Sequence, residues 1–131
     1  MKEQGFTLLE VVIATAIFAI GILAVIGLQT QVVSGNARSN IQTEQMLLAQ
    51  AVMERVKNAP DIFNPTGANN VTALNNVDSE GNAGGPYNVT VTRTNPLGGT
   101  TSRFITVTVT KTGGFTGHDA VIRCLSHGNG I

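Results

Sequence analysis

The stretch GFTLLEVVIATAIFAIGILAVIGL, residues 5–28, decides the fold of the N-terminal part of this 131-residue chain. After Glu10, the 18 residues 11–28 carry no charge, and only Thr15 among them is polar. As a helix, residues 6–28 would extend about 34 Å, which is enough to cross a hydrocarbon layer about 30 Å thick. A helix in a water-soluble core would show a polar face, so the stretch predicts a membrane-spanning helix.

A cleaved secretory signal fits this stretch poorly. The apolar run is too long, and its basic start is only Lys2, which Glu3 balances. The small residues Ser34–Ala37 do not form an Ala-x-Ala cleavage pattern. A single-span anchor explains the run better, but it does not explain Glu10.

Glu10 is the unexpected residue, because a carboxylate at the centre of a bilayer costs on the order of 3 kcal/mol and less near an end. If the chain were cut between Gly5 and Phe6, the new amino group of Phe6 would lie about one helical turn from Glu10. The amine and the carboxylate would then neutralise each other, within one subunit or between neighbours. Such a cut would give Glu10 a partner of opposite charge.

The N-terminus resembles type IV prepilins and type II secretion pseudopilins. The shared features are a short leader ending in Gly5, Phe6 after it, Glu10 at the fifth position after the junction, and an apolar helix. The resemblance implies that a prepilin peptidase cuts after Gly5, that Phe6 is N-methylated, and that Glu10 sets the register of an incoming subunit. It also implies partners: other pilins or pseudopilins, an inner-membrane assembly platform and the lipid bilayer.

The first 55 residues or so are similar to minor pilins of the PilV type. The resemblance implies a minor type IV pilin that enters or primes a pilus, anchored in the bacterial inner membrane with its soluble domain in the periplasm. One alternative is the minor pseudopilin I of a type II secretion system. A second alternative is a membrane-anchored binding module that never joins a filament.

The next segment predicts a continuation of the same helix with an amphipathic pattern. Ile41, Leu48, Val52 and Val56, with Leu47 and Ala51 beside them, recur at helical spacing and form an apolar stripe for a packing partner. Pro60 ends the helix, because the residue before a proline is pushed out of the helical region. We expect one long helix, although two separate helices remain the alternative.

The rest of the chain predicts a small antiparallel sheet. Residues 87–92 and 105–110 alternate apolar and polar, which is typical of half-buried strands, and a third strand is expected at about 120–125. The expected fold is thus α+β and pilin-like, with a long helix packed on about three strands. The expected divisions are a leader, a membrane or filament-core helix, its amphipathic continuation, a variable loop, and the sheet with its tail: 1–5, 6–30, 31–58, 59–85 and 86–131.

Composition argues against several functional classes. Eight basic and eight acidic residues balance, so no basic excess predicts nucleic-acid binding. His118, Asp119, Cys124 and His127 gather near the end of the chain, but a structural zinc site needs four ligands, so we expect no metal site. No catalytic or phosphate-binding motif is present either, and we expect neither an enzyme nor a cofactor. The roles of His118, Cys124 and His127 stay open.

Overall fold

A computed structural model describes residues 5–59, 71–95, 98, 102–114 and 118–127. The chain divides into two compact units, Met1–Ala37 and Arg38–Ile131. Several segments discussed above lie wholly or mainly outside the described residues: most of the leader, the loop over 60–70 and the last four residues.

The helix expected from the sequence is one element, α1, spanning Leu8–Lys57. Thr7 immediately precedes its first residue, and the side-chain oxygen of Thr7 accepts a hydrogen bond from the backbone N–H of Glu10 at 3.4 Å. This is the bond that an N-terminal capping residue makes. Arg55 and Lys57 lie in the last turn, where basic side chains stabilise the negative end of the helix dipole. The alternative of two helices is therefore wrong.

Within the unit Arg38–Ile131, one stripe of α1 is buried. Ile41, Leu48, Val52 and Val56 belong to it, as expected. Leu47 and Ala51 do not: Leu47 is 57% exposed, and Ala51 is exposed too. An α-helix turns by about 100° per residue, so the side chains of Leu47 and Ala51 point away from the buried stripe. Residues three or four positions apart share one face of a helix, and in this way Gln45, Ala49 and Met53 complete the buried stripe.

The sheet has four antiparallel strands in the order β1-β2-β3-β4. Their bounds are Ala73–Val77, Tyr87–Thr94, Ser102–Lys111 and Ala120–His127. The expectation of three strands is wrong by one, because β1 lies inside the segment 59–85 that was expected to be a loop. The sequence of β1, ALNNV, does not predict a strand, because two asparagines stand where strands usually have β-branched residues.

The pairing of β1 differs from that of the other strands. It pairs with β2 through Ala73 and Leu74, and the register then shifts before Val77. Asn76 in this shift has a φ of 54°, a left-handed conformation that asparagine tolerates better than most residues. In contrast, β2–β3 and β3–β4 each keep one register over eight consecutive pairs.

The core of this unit lies between the buried stripe of α1 and one face of the sheet. Strand alternation holds as expected: Val89, Ile105, Val107 and Val109 are fully buried, and the residues between them lie on the other face. The outer face of β2 and β3 is rich in threonine, with Thr90 opposite Thr108 and Thr92 opposite Thr106. The result is a two-layer α+β domain with one apolar core.

Candidate functional site

Gly5, Phe6 and Glu10, the three residues singled out from the sequence, border one open concavity together with Thr7. Phe6 lies two residues before the start of α1, and Glu10 lies in the first turn of that helix. A second concavity beside it shows the helical spacing of four, since Phe6, Glu10, Ala14 and Phe18 all line it. The structure therefore brings the proposed cleavage junction and the carboxylate to one surface.

The backbone around Glu10 is held by Thr7. The amide of Glu10 donates to the carbonyl oxygen of Thr7 at 3.0 Å and lies 3.4 Å from its hydroxyl. Glu10 also lies at the end of the helix where a negative charge interacts favourably with the helix dipole. Sequence reasoning missed this role of Thr7, although Thr7-Leu8-Leu9-Glu10 before an apolar run has the spacing of a capping box.

The side chain of Glu10 is exposed. No described residue donates a hydrogen bond to its carboxylate or forms an ion pair with it. Its surroundings on the same surface are apolar: Phe6 is 82% and Phe18 69% exposed. From residue 5 to residue 37, Glu10 is the one charged residue in the sequence. The carboxylate of Glu10 thus lies on an apolar surface, and no described residue of opposite charge pairs with it.

Two threonine side chains of this segment, Thr15 and Thr30, bond to their own helix. The hydroxyl of Thr15 donates to the carbonyl oxygens of Val11 and Val12 at 3.0 and 2.9 Å, and that of Thr30 donates to Gly27 at 2.8 Å. Hydroxyl groups satisfied in this way are compatible with hydrocarbon surroundings. The hydroxyl of Thr15 is therefore already engaged within its own helix.

The most apolar part of α1 is long and apolar enough to cross a membrane, and none of its 18-residue window is buried. A family model describing the prokaryotic N-terminal methylation motif matches residues 1–26.

This motif supports a protein of the type IV prepilin and pseudopilin kind.

This pilin-like protein has the α+β architecture expected from that resemblance, with the sheet corrected to four strands. The matched family consists of structural pilin-type proteins, and the motif with the apolar helix indicates a membrane anchor. No curated protein and no solved structure was found to match the chain.

The histidines and the cysteine near the C-terminus do not converge. Cys124 is half-buried and packs against the core, whereas His127 is exposed on the opposite face of β4. A spacing of three residues places side chains on opposite faces of a strand, so these two cannot share a metal ion. His127 instead lies 2.9 Å through Nδ1 from the hydroxyl of Ser102 on β3. Among the described residues, no group of three or more metal-binding side chains is present.

Proposed function

We propose that this pilin-like protein is a minor type IV pilin, a structural subunit that enters a pilus or primes its assembly. The proposed processing is cleavage between Gly5 and Phe6 by a prepilin peptidase, followed by N-methylation of Phe6. The carboxylate of Glu10 then pairs with the amino terminus of Phe6, in the same subunit or in its neighbour. The proposed location is the inner membrane with the sheet domain in the periplasm, and later the filament.

The single observation that carries this proposal is the position of Glu10. It shares a concavity with Gly5 and Phe6, and no described residue neutralises it. A plain membrane anchor would gain nothing from this charge, because an unpaired carboxylate weakens insertion into hydrocarbon. A filament subunit gains a partner for it when a second N-terminus arrives, which offsets the cost of removing both charges from water.

The apolar surface supports the same conclusion. The large apolar side chains from Phe6 to Val33 are exposed along the helix, including Leu9, Ile20 and Leu23 at 69% each. Lipid covers such a surface in the membrane, and the helices of neighbouring subunits cover it in a filament. Exchange of one apolar environment for the other costs little, which suits a subunit that must leave the bilayer.

Processing is tested by the intact mass of the protein extracted from membranes of its own host. We expect a species that lacks residues 1–5 and carries one added methyl group. Gly5→Val should accumulate the uncut chain, because a branched side chain then stands next to the scissile bond. An uncut wild-type chain, in cells whose peptidase processes its other substrates, would contradict the proposal.

Assembly is tested with Glu10→Gln, which keeps the shape of the side chain and removes its charge. We expect normal membrane insertion and normal cleavage, but at least a tenfold loss of the protein from sheared filaments. Thr15→Val is the matched control, since its hydroxyl bonds only within its own helix. Equal incorporation of Glu10→Gln and wild type would leave the anchored binding module as the better description.

The alternative of a minor pseudopilin predicts a different loss. Deletion of the gene should then abolish secretion of type II substrates and leave surface pili intact, whereas a minor pilin gives the opposite pair of results. Both readouts are taken from the same deletion strain and its complemented control.

A further inference from the structure

The two edges of the sheet differ in how well they are protected. The β1 edge is five residues long and interrupted by a register shift with a left-handed residue, Asn76. Short strands and bulges of this kind prevent further strands from adding to a sheet. The β4 edge is eight residues long, pairs with β3 in one unbroken register, and contains no Pro, Gly or Lys.

The hydrogen-bond alternation identifies which backbone groups of β4 point away from the sheet. The amide of Thr112 donates to the carbonyl of Pro86 at 2.8 Å, in the same register as the β2–β3 ladder. Because bonded and non-bonded pairs alternate in an antiparallel ladder, Ile105 and Cys124 exchange hydrogen bonds between β3 and β4. The N–H and C=O groups of Val121, Arg123 and Leu125 therefore face the free edge, and no described strand pairs with them.

The side chains along this edge are also incompletely covered. Ile122 and Cys124 face the core but are only partly buried, although they pack against it. On the outer face, Val121 and Leu125 are 44% and 52% exposed. One more strand beside β4 would extend the core over Ile122 and Cys124 and satisfy the outward backbone groups.

A second copy of this chain does not suit the edge. Antiparallel pairing of β4 with itself needs a two-fold axis perpendicular to the sheet, which reverses the direction of the helix that lies on it. Copies that enter one membrane in the same orientation run their helices in the same direction. Pairing of β4 with β1 of another copy meets the register shift in β1.

We propose that the free edge of β4 is a docking site for an extended segment of a different protein chain, which adds to the sheet as a fifth strand. The segment alternates apolar residues, which lie beside Ile122 and Cys124, with polar residues on the outer face. Arg123 is exposed on that outer face with the neutral Thr106 opposite it, so the segment carries an acidic residue at this point. This proposal does not depend on membership in a filament.

The test uses the full-length protein in detergent micelles and a blocked seven-residue peptide of alternating Val and Thr with one central Glu. Residue-resolved amide exchange is the readout. We expect the amides of Val121, Arg123 and Leu125 to exchange at least tenfold more slowly with the peptide, and those of Ile122 and Cys124 to be slow already. The same peptide with N-methylated backbone amides at alternate positions should give no such slowing.

Leu125→Pro removes an N–H that faces the free edge and takes part in no bond of the β3–β4 ladder. We expect it to keep the slow exchange of Ile122 and Cys124 and to weaken peptide binding at least tenfold, while Leu125→Ala binds as the wild type does. Three results would overturn the proposal: no protection at millimolar peptide, slow exchange of the outward amides in the free monomer, or a stable dimer by sedimentation with those amides protected. None of them bears on processing at Gly5.

Discussion

The hydroxyl of Tyr87 donates a hydrogen bond to Oε2 of Glu44 at 2.5 Å, which connects β2 to α1 across 43 residues of sequence. Tyr87 is 2% exposed, so its ring is part of the core and its hydroxyl reaches the edge of the helix. The contact fixes the position of the helix along the sheet at one end of the core.

Tyr87→Phe should lower the free energy of unfolding by about 1 to 2 kcal/mol, because the ring stays buried while a hydrogen bond to a charged acceptor is lost. Urea unfolding of the protein in micelles, followed by the circular dichroism of the sheet domain, measures the change. Glu44→Gln keeps an acceptor in place and should cost less. An unchanged midpoint for Tyr87→Phe would show that water replaces the bond at no cost.

The same contact makes stability sensitive to alkaline pH. Burial, helped by the bond to Glu44 and its charge, raises the pKa of Tyr87 to about 12 from 10.0. Between these two values the unfolded chain loses the phenol proton and the folded chain keeps it, so stability falls as pH rises from 10 to 12. Wild type should lose stability over this range more steeply than Tyr87→Phe, and parallel curves would contradict the shift.

Gln45 is fully buried, and neither Oε1 nor Nε2 has a hydrogen-bond partner within the described part of the chain. Gln45→Met keeps the length of the side chain and removes both polar atoms, so we expect a gain of about 1 to 3 kcal/mol in the free energy of unfolding. Gln50→Met on the exposed side of the same helix should change stability by less than about 0.5 kcal/mol. A loss of stability in Gln45→Met would show that the amide binds a partner, such as an ordered water.

Gly85 lies in the turn between β1 and β2 against the backbone of Val77 and Asp78. A Cβ at this position would overlap Asp78 N and Val77 O, which are backbone atoms that cannot rotate away. Gly85→Ala should therefore cost more than Gly84→Ala, which meets no atom but holds a φ of 106° and should lose about 1 to 2 kcal/mol through backbone strain. Thermal unfolding of both variants gives the comparison, and equal costs would show that the turn moves to make room.

Asp78 organises the same turn. Its Oδ1 accepts hydrogen bonds from the backbone amides of Asn82 at 2.8 Å and Glu80 at 3.0 Å. The bond from the Asn82 amide is the main cause that lowers the pKa of Asp78 below its usual 3.8. The turn is then stabilised above pH 4 and loses this contribution as pH falls through the lowered pKa.

The Asn82 amide reports on this titration by its NMR chemical shift. In the wild type, we expect the midpoint of this chemical-shift change to lie below the pKa of a free aspartate. In Asp78→Asn the Asn82 amide should show no titration, whereas the control Glu80→Gln should keep the lowered midpoint. A midpoint at or above 3.8 would contradict the role given to Asp78.

The sequence was informative where a pattern was simple. The run after Glu10 is uniformly apolar and long enough for a spanning helix, and the structure has that helix. The stripe of Ile41, Leu48 and Val52 and the alternation in β2 and β3 each repeat a geometric period, and the structure has both. The sequence was less informative for β1, which pairs with β2 through Ala73, Leu74 and Val77, while its two asparagines lie in the register shift between them. Pairing of this kind is invisible to local pattern.

The candidate site could be identified from the sequence, whereas the contacts between α1 and the sheet could not. Gly5, Phe6 and Glu10 stand out by spacing alone, because a charge in an apolar helix needs a reason. The contact between Glu44 and Tyr87 and the buried amide of Gln45 depend on how α1 is rotated over the sheet. The same rotation placed Gln45, rather than Leu47, in the core. No local pattern fixes that rotation to within one residue.

The core of the sheet domain has no described member before Ile41, and this has a consequence for the order of events in the life of the chain. The cut proposed after Gly5 would remove no described side chain of that core, so we expect the cut and the uncut chain to unfold with the same free energy. Folding of the sheet domain would then not depend on the proposed processing, and either event could come first.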